Sequence, residues 1–540
     1  MQRFLRAVAV LTAALLLVLC LPSCQDKTLA GRSFYFPLDA EPRQLDPQVS
    51  TDRSSMTVAA ALFEGLTRLD ENGKAVPAAA QWTVSEDRMT YTFTLRESQW
   101  SNGEPVTADD FLFGMQRAVQ PSTRSSLASQ LFDIVGAEDI NEGRAELSSL
   151  GVRVQDDRTL IITLREPNDA FPERVASTPF MPCNRAFFES TGGKYGLEKD
   201  YVLTNGPFML SRWSHGEYLV IKKHEGYHDQ ESILPAAVRY VIGQVEDPVT
   251  SLAEGNLDAA EISPSQVEAA REENLQLVPL EDTISYLWMN NTAKGLKKEE
   301  TRRALREALQ WDALTALIGE AGYTVATGYT APAAVLHGGE PYRTEANGLV
   351  PETVGGGTVT AAQAQQHLAE GMAAEGLTTL PKMTLLCADD EFSQNLARYI
   401  LQSWQKNLGL YFTMEALPEA ELETRVRVGN YELALCASQA EGLTALEALG
   451  EYASSSTHNL ARFSDADYDV LYESARTGDT TREKLERLEA ALQEACPCVP
   501  LFFKTRYFAL AEEVSGMVIR PFGGGAFGAE IDFRGAGKPE

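Results

Sequence analysis

The five residues His224-Glu225-Gly226-Tyr227-His228 spell H-E-x-x-H. On a helix this spacing puts two imidazoles on one face for zinc and leaves the glutamate to activate a metal-bound water. The surroundings disagree with a helix: residues 217–222 alternate as a strand, Gly226 weakens helical structure, and Lys223 and Asp229 flank the motif with charge. A secreted zinc-dependent hydrolase using His224 and His228 is one reading to test. No other catalytic template is present: there is no G-x-S-x-G, and no G-x-x-x-x-G-K-[ST], so the chain carries no ATPase of its own. His337, His367 and His458 have no evident nucleophile beside them. The adjacent carboxylates Asp109-Asp110 and Asp389-Asp390 read as solvated faces, and nothing points to the two distant carboxylates of a glycosidase.

The elements that would position side chains are clearest around Trp100. Residues 90–96 alternate, with Tyr91, Phe93 and Leu95 on one face, which predicts a half-buried strand. Asn102-Gly103 turns the chain. Thr107 then suits a helix N-cap, and Asp109 and Asp110 put carboxylates on the positive end of the helix. Phe111, Leu112, Met115, Ala118 and Val119 follow at helical spacing.

As a string, Trp100-Ser101-Asn102-Gly103-Glu104-Pro105-Val106-Thr107-Ala108-Asp109-Asp110-Phe111 resembles the signature region of extracytoplasmic solute-binding proteins that serve oligopeptide and dipeptide ABC importers. Leu45-Asp46-Pro47, Phe63-Glu64-Gly65-Leu66, Thr204-Asn205-Gly206-Pro207-Phe208 with Trp213, Ala253 through Asp258, Trp288-Met289-Asn290-Asn291 and Trp311-Asp312 resemble the same family. The likeness runs from about Ser33 to about Phe508 and is densest before residue 315.

The resemblance implies an α/β, two-lobed periplasmic-binding-protein-like fold of class II type, with discontinuous lobes joined by a hinge that closes on ligand. It divides the chain into a lipoprotein signal peptide (1–23), a tether (24–32), a first lobe (33–285 with 505–540, including an extra subdomain at about 63–189) and a second α/β lobe (286–504). It makes the H-E-x-x-H stretch a loop after a strand, with Tyr227 a characteristic tyrosine. It also implies a binding protein, not an enzyme, with no cofactor. Peptide-binding relatives end a strand against the ligand backbone and follow it with a tryptophan and, three residues later, an acid for the ligand's ammonium. In this chain those positions give Ala437, Ser438 and Gln439 at the strand end, Ser438 in place of the tryptophan, and Glu441 as the acid. Leu435 stands where some peptide binders carry arginine. Asp52 and Arg53 complete the expected ligand contacts. The implied partners are an oligopeptide, an ABC permease and separate ATPase subunits, with the binding protein a monomer. A metal chelate, a modified sugar, or a receptor that senses a peptide without transporting it are the alternatives.

Composition agrees with an exported protein. In residues 1–23, Arg3 and Arg6 precede an apolar run from Ala7 to Leu19 that is too short to span a bilayer comfortably. Leu21-Pro22-Ser23-Cys24 resembles a lipobox, which makes Cys24 the lipid-attachment candidate. An ordinary secretory signal or a single N-terminal anchor would also place the rest outside the cytoplasm. The net charge of −29 argues against nucleic acid and against adsorption to anionic lipid. Cys183, Cys387, Cys436, Cys496 and Cys498 are an odd number and so not a full disulfide framework.

After a polar, glycine-rich stretch at 338–358, expected to be a surface loop, strands and helices alternate. Helices are expected at 361–375, 392–408 and 418–428, and strands at 383–387, 410–414 and 431–437. That alternation predicts a largely parallel sheet. Two amphipathic helices (465–476 and 481–495) and a strand at 499–503 follow, and an earlier helix is expected at 301–318.

Overall fold

The computed structural model describes residues 32–70, 73–336, 339–343, 360–440, 442, 444–456, 458–476, 480–521 and 531–536. The signal segment, Cys24, most of the glycine-rich stretch and Glu441 lie outside the described residues.

Ser33–Leu38 is a strand whose alternate residues Phe34, Phe36 and Leu38 are buried. It pairs in parallel with Ala237–Ile242, and two antiparallel strands, Tyr218–Lys223 and Phe208–Ser214, complete a four-stranded sheet. A second, antiparallel sheet runs in the order Ala80–Val84, Thr90–Leu95, Thr159–Thr163, Val152–Asp156. Tyr91, Phe93, Leu160 and Ile162 face one core with Phe111 and Met115 of the helix Ala108–Val119. The Asp110 carboxylate accepts from the Thr107 amide at 2.8 Å and from the Trp100 indole at 3.2 Å. One acid therefore fastens the helix start to the turn before it. Burial raises its pKa, with those hydrogen bonds opposing.

A third sheet of seven strands joins the two halves of the molecule. Its order is Ala259–Ile262, Cys498–Leu510, Gln276–Met289, Leu433–Gln439, Thr384–Ala388, Thr413–Leu417, with Thr324–Val325 on Cys498–Leu510. The strands Thr384–Ala388, Thr413–Leu417 and Leu433–Gln439 are mutually parallel, as the alternation with helices predicts. The sheet as a whole is mixed, because both long strands run antiparallel to their neighbours.

Those long strands, of 14 and 13 residues, reach about 45 Å at ~3.3 Å per residue, enough to traverse two packed bodies. Leu280, Phe508 and Leu510 sit in the first core with Phe34, Phe93 and Phe111. Ile284, Tyr286, Trp288 and Phe503 sit in a second core with Leu422, Leu485 and Leu488. On the other face of the same sheet, Leu287, Met289, Val499 and Leu501 meet Ile400 and Trp404. Both faces are covered there, so both faces of the strand are apolar. Between the two regions the pairing shifts register, at Leu280/Thr283. Such a bulge bends the strand where it leaves one core for the next.

The single helix expected at 301–318 is two, Glu299–Glu307 and Trp311–Glu320. The Trp311 indole donates to the Arg306 carbonyl at 3.3 Å, joining the Leu309 amide there where the first helix ends.

Candidate functional site

The H-E-x-x-H residues form a turn, and the zinc hydrolase reading is corrected by where their side chains go. His224 Nδ1 lies 3.1 Å from the Gly206 carbonyl, and burial lowers its pKa. His228 Nε2 lies 2.7 Å from Glu64 Oε2, and the Tyr227 hydroxyl donates to the other oxygen of the same carboxylate. Glu225 is exposed. The two imidazoles serve separate partners, and among the described residues no group of three metal-ligating side chains converges. The motif holds the fold instead. Glu64 is buried and exchanges two backbone hydrogen bonds with the Asn205 amide, at 3.1 and 2.9 Å. A Cβ on Gly206 would stand 2.7 Å from the Leu62 carbonyl, so only glycine permits this approach.

Two cavities lie near the change of core. A cavity of about 390 Å³ opens at the C-terminal ends of Ser33–Leu38 and Ala237–Ile242, with Asp39, Arg53, Glu246, Glu261 and Phe508 in its lining. A smaller cavity lies on the second core, under Ser438, with Asp282, Tyr286, Tyr329, Glu451 and Tyr452 around it. One chain of ion pairs links them. Arg53 reaches Asp39 at 3.3 Å and Glu261 at 2.6 Å, and Arg506 reaches the same Glu261 oxygen at 3.3 Å and Asp282 at 2.6 Å. Asp282 is fully buried in the bulge of the connecting strand. Each buried carboxylate here has a guanidinium against it, which is what makes its burial tolerable.

The residues expected at the site fall as follows. Arg53 lines the larger cavity and enters the charge chain. Asp52 caps the helix Arg53–Leu62, its carboxylate accepting from the Ser55 amide at 2.9 Å. Ala437, Ser438 and Gln439 end the strand Leu433–Gln439, opposite Ser285, Ile284 and Thr283. On the strand's other edge the recorded pairing with Thr384–Ala388 covers only Leu433 and Ala434. Among the described residues, no strand lies against that edge from Cys436 to Gln439, which leaves a backbone edge that an extended chain can join. Gln439 Nε2 is buried at this end without a hydrogen-bond partner among the described residues. Sequence reasoning missed Asp39, Glu261, Asp282 and Arg506. The one signal was the acidic pair Glu281-Asp282 interrupting an apolar strand.

The sequence model described as bacterial extracellular solute-binding proteins, family 5, middle, matches residues 74–459. The dipeptide-binding protein DppE of Bacillus subtilis is 26% identical over 510 residues, covering 92% of this chain and 91% of the relative. The oligopeptide-binding protein OppA of the same organism is 25% identical over 515 residues, covering 92% and 91%. Among solved structures, the substrate-binding domain of an oligopeptide ABC transporter from Bacillus anthracis superposes with a TM-score of 0.74 at 27% identity, over 94% of this chain and 98% of that one. The pheromone receptor PrgZ, at 23% identity and a TM-score of 0.75 over 94% and 99%, shares the fold. The two cores joined by long strands are therefore the lobes of a class II periplasmic-binding-protein-like fold.

Proposed function

We propose that this chain, which belongs to the family 5 bacterial extracellular solute-binding proteins, captures oligopeptides outside the cell and hands them to an ABC permease driven by a separate ATPase. It is a binding protein of the transport class, not an enzyme. The observation that carries the peptide reading is the strand end Ala437–Gln439, unpaired on one edge and placed at the bulge where the connecting strands change core. A peptide backbone supplies the alternating donors and acceptors such an edge lacks, so it binds with little demand on side-chain identity. DppE and OppA, named for dipeptide and oligopeptide binding, support the reading.

In this reading 33–285 with 505–540 form one lobe, carrying the subdomain at about 63–189, and 286–504 form the other. The lobes close about the bulge at Leu280/Thr283. Asp52 and Arg53 serve the first wall of the site, and Ala437, Ser438, Gln439 and Glu441 the second. Glu441 meets the ligand's ammonium, which is costly to bury without a carboxylate. Cys24 carries the lipid that keeps the protein at the membrane. Among the described residues no helix is long and apolar enough to cross a membrane.

Mass spectrometry of ligand co-purified with the protein tests the class directly, and calorimetry tests the site. Glu441→Ala should weaken a free peptide by more than tenfold, in line with the ~2–5 kcal/mol cost of unpairing a buried charge. Wild-type protein that binds free and N-acetylated peptide equally would remove Glu441 from the site. Cys24→Ala should release the protein from the membrane, and retention to the same extent would remove the lipid anchor.

A further inference from the structure

The lobes also meet away from the connecting strands. Arg476 ends the helix Ala466–Arg476, whose Tyr468 and Ala475 belong to the second core. Its Nη2 lies 2.9 Å from Glu166 Oε2 and its Nη1 lies 3.8 Å from Asp133 Oδ1. Asp133 and Glu166 flank Ile134 and Leu164, which belong to the first core and bridge each other. Arg174, on the same side, holds Asp133 at 3.1 Å. Burial lowers the pKa of Arg174, and the carboxylates of Asp133 and then of Glu447, the latter in the other lobe, raise it above the ordinary value. Glu447 in turn caps the helix Ala445–Gly450 through Thr444 and packs on Gly442, so this meeting place adjoins the loop that follows the strand end.

From this arrangement we infer that Arg476 and Arg174, interleaved with Asp133, Glu166 and Glu447, form an electrostatic latch that holds the lobes closed and sets how long a ligand stays bound. The inference rests on the lobe-closure reading above. The chemistry is specific to the closed form. Asp133 is shared by one cation from each lobe, so opening takes Arg476 away from it and leaves Arg174 beside it. Arg476 also keeps Glu473 of its own helix at 2.8 Å, so it stays ordered when the lobes part and the latch can re-form without rebuilding the side chain. The pairs are partly solvated, so their strength falls with salt. A latch of this strength biases the open–closed equilibrium and does not lock it.

The test reads the lobe separation itself. Spin labels on Ser148→Cys and Val470→Cys, both exposed, report across the two sides, and the five cysteines of the described residues are buried and stay unlabelled. In ligand-free protein, Arg476→Glu should move the distance distribution toward the longer population at least threefold. Adding Glu166→Arg to it should restore the short population, and 0.5 M salt should act on wild type as the single variant does, a range set by partly exposed ion pairs. Arg476→Gln, the milder variant, should do the same to a smaller extent at unchanged melting temperature. With trialanine as probe, the single variant should bind about threefold to tenfold more weakly through a faster off-rate. Unchanged distances in Arg476→Glu, or no recovery in the charge-swapped pair, overturn the latch. Distances that respond while no form binds trialanine leave the latch standing and count against the peptide reading alone.

Discussion

Arg506 on one connecting strand grips Asp282 on the other, with Nη2 at 2.6 Å from Oδ2 and Nε at 3.1 Å from Oδ1. The pair sits where the strands change core, and the Thr283 hydroxyl adds a third hydrogen bond to Asp282. Removing the cation leaves a fully buried carboxylate without its guanidinium. Arg506→Met should lower the unfolding free energy by roughly 3 kcal/mol, the low end for breaking a buried pair. Asp282→Asn with Arg506→Met should recover much of it. Chemical denaturation measures both, and a double variant no better than the single one would show that the pair is not the source of the loss.

Glu64 makes the second stability prediction. Its carboxylate serves Tyr227 and His228 together. Glu64→Ala should cost roughly 3 kcal/mol, since it orphans two buried polar groups at ~1–3 kcal/mol each. Chelator should leave the wild-type melting temperature unchanged, because the histidines hold protein groups. A melting temperature that falls on chelation and returns with zinc would reinstate the metal reading.

His215 predicts a pH dependence. It lies between Glu198, at 3.1 Å, and Glu41, at 2.8 Å, and hydrogen bonds to first the one and then the other raise its pKa. A histidine raised in the folded state contributes stability that is fully present below its unfolded value of about 6.5 and is lost as pH rises through the folded value. Compared with His215→Gln, wild type should be more stable at pH 6, and the difference should fade above the raised pKa. The group is half-exposed, so the effect is small and is best read from the imidazole shifts by NMR. A midpoint at or below the ordinary value would refute it.

What the sequence discloses here is local. Phe34, Phe36 and Leu38 alternate, and the strand Ser33–Leu38 buries all three. Trp100 through Phe111 reads as turn and capped helix because the Asp110 carboxylate takes its hydrogen bonds from Trp100 and Thr107, within ten residues. The connecting strands do not read this way. Pro279, Glu281 and Asp282 interrupt one, and Lys504, Thr505 and Arg506 interrupt the other, so neither keeps a single period; the expected 499–503 is only the first part of a strand running from Cys498 to Leu510. Their polar centres make sense only once Glu261 and Arg53, some 208 residues apart, come within 2.6 Å. Ser438 was expected at the site from family likeness, whereas Asp282 and Glu451, which line the same cavity, were not, because nothing local ties them to it.

Gln439 gives the sharpest prediction, since two measurements should move in opposite directions. Its backbone is paired with Thr283 at the strand end, and its side-chain Nε2 is buried with no acceptor among the described residues. A buried donor left unsatisfied costs ~1–3 kcal/mol. Gln439→Met keeps the length of the side chain and removes the donor, so the free protein should be as stable or more stable, by up to about 1 kcal/mol. If a peptide carbonyl is what satisfies that donor in the complex, the same substitution should weaken peptide binding by about fivefold to tenfold, the worth of one neutral hydrogen bond. Denaturation and calorimetry on the one variant decide the matter. A destabilised variant would mean that the amide already has a partner in the free protein. Unchanged affinity in a variant of full stability would place the ligand elsewhere along the strand edge.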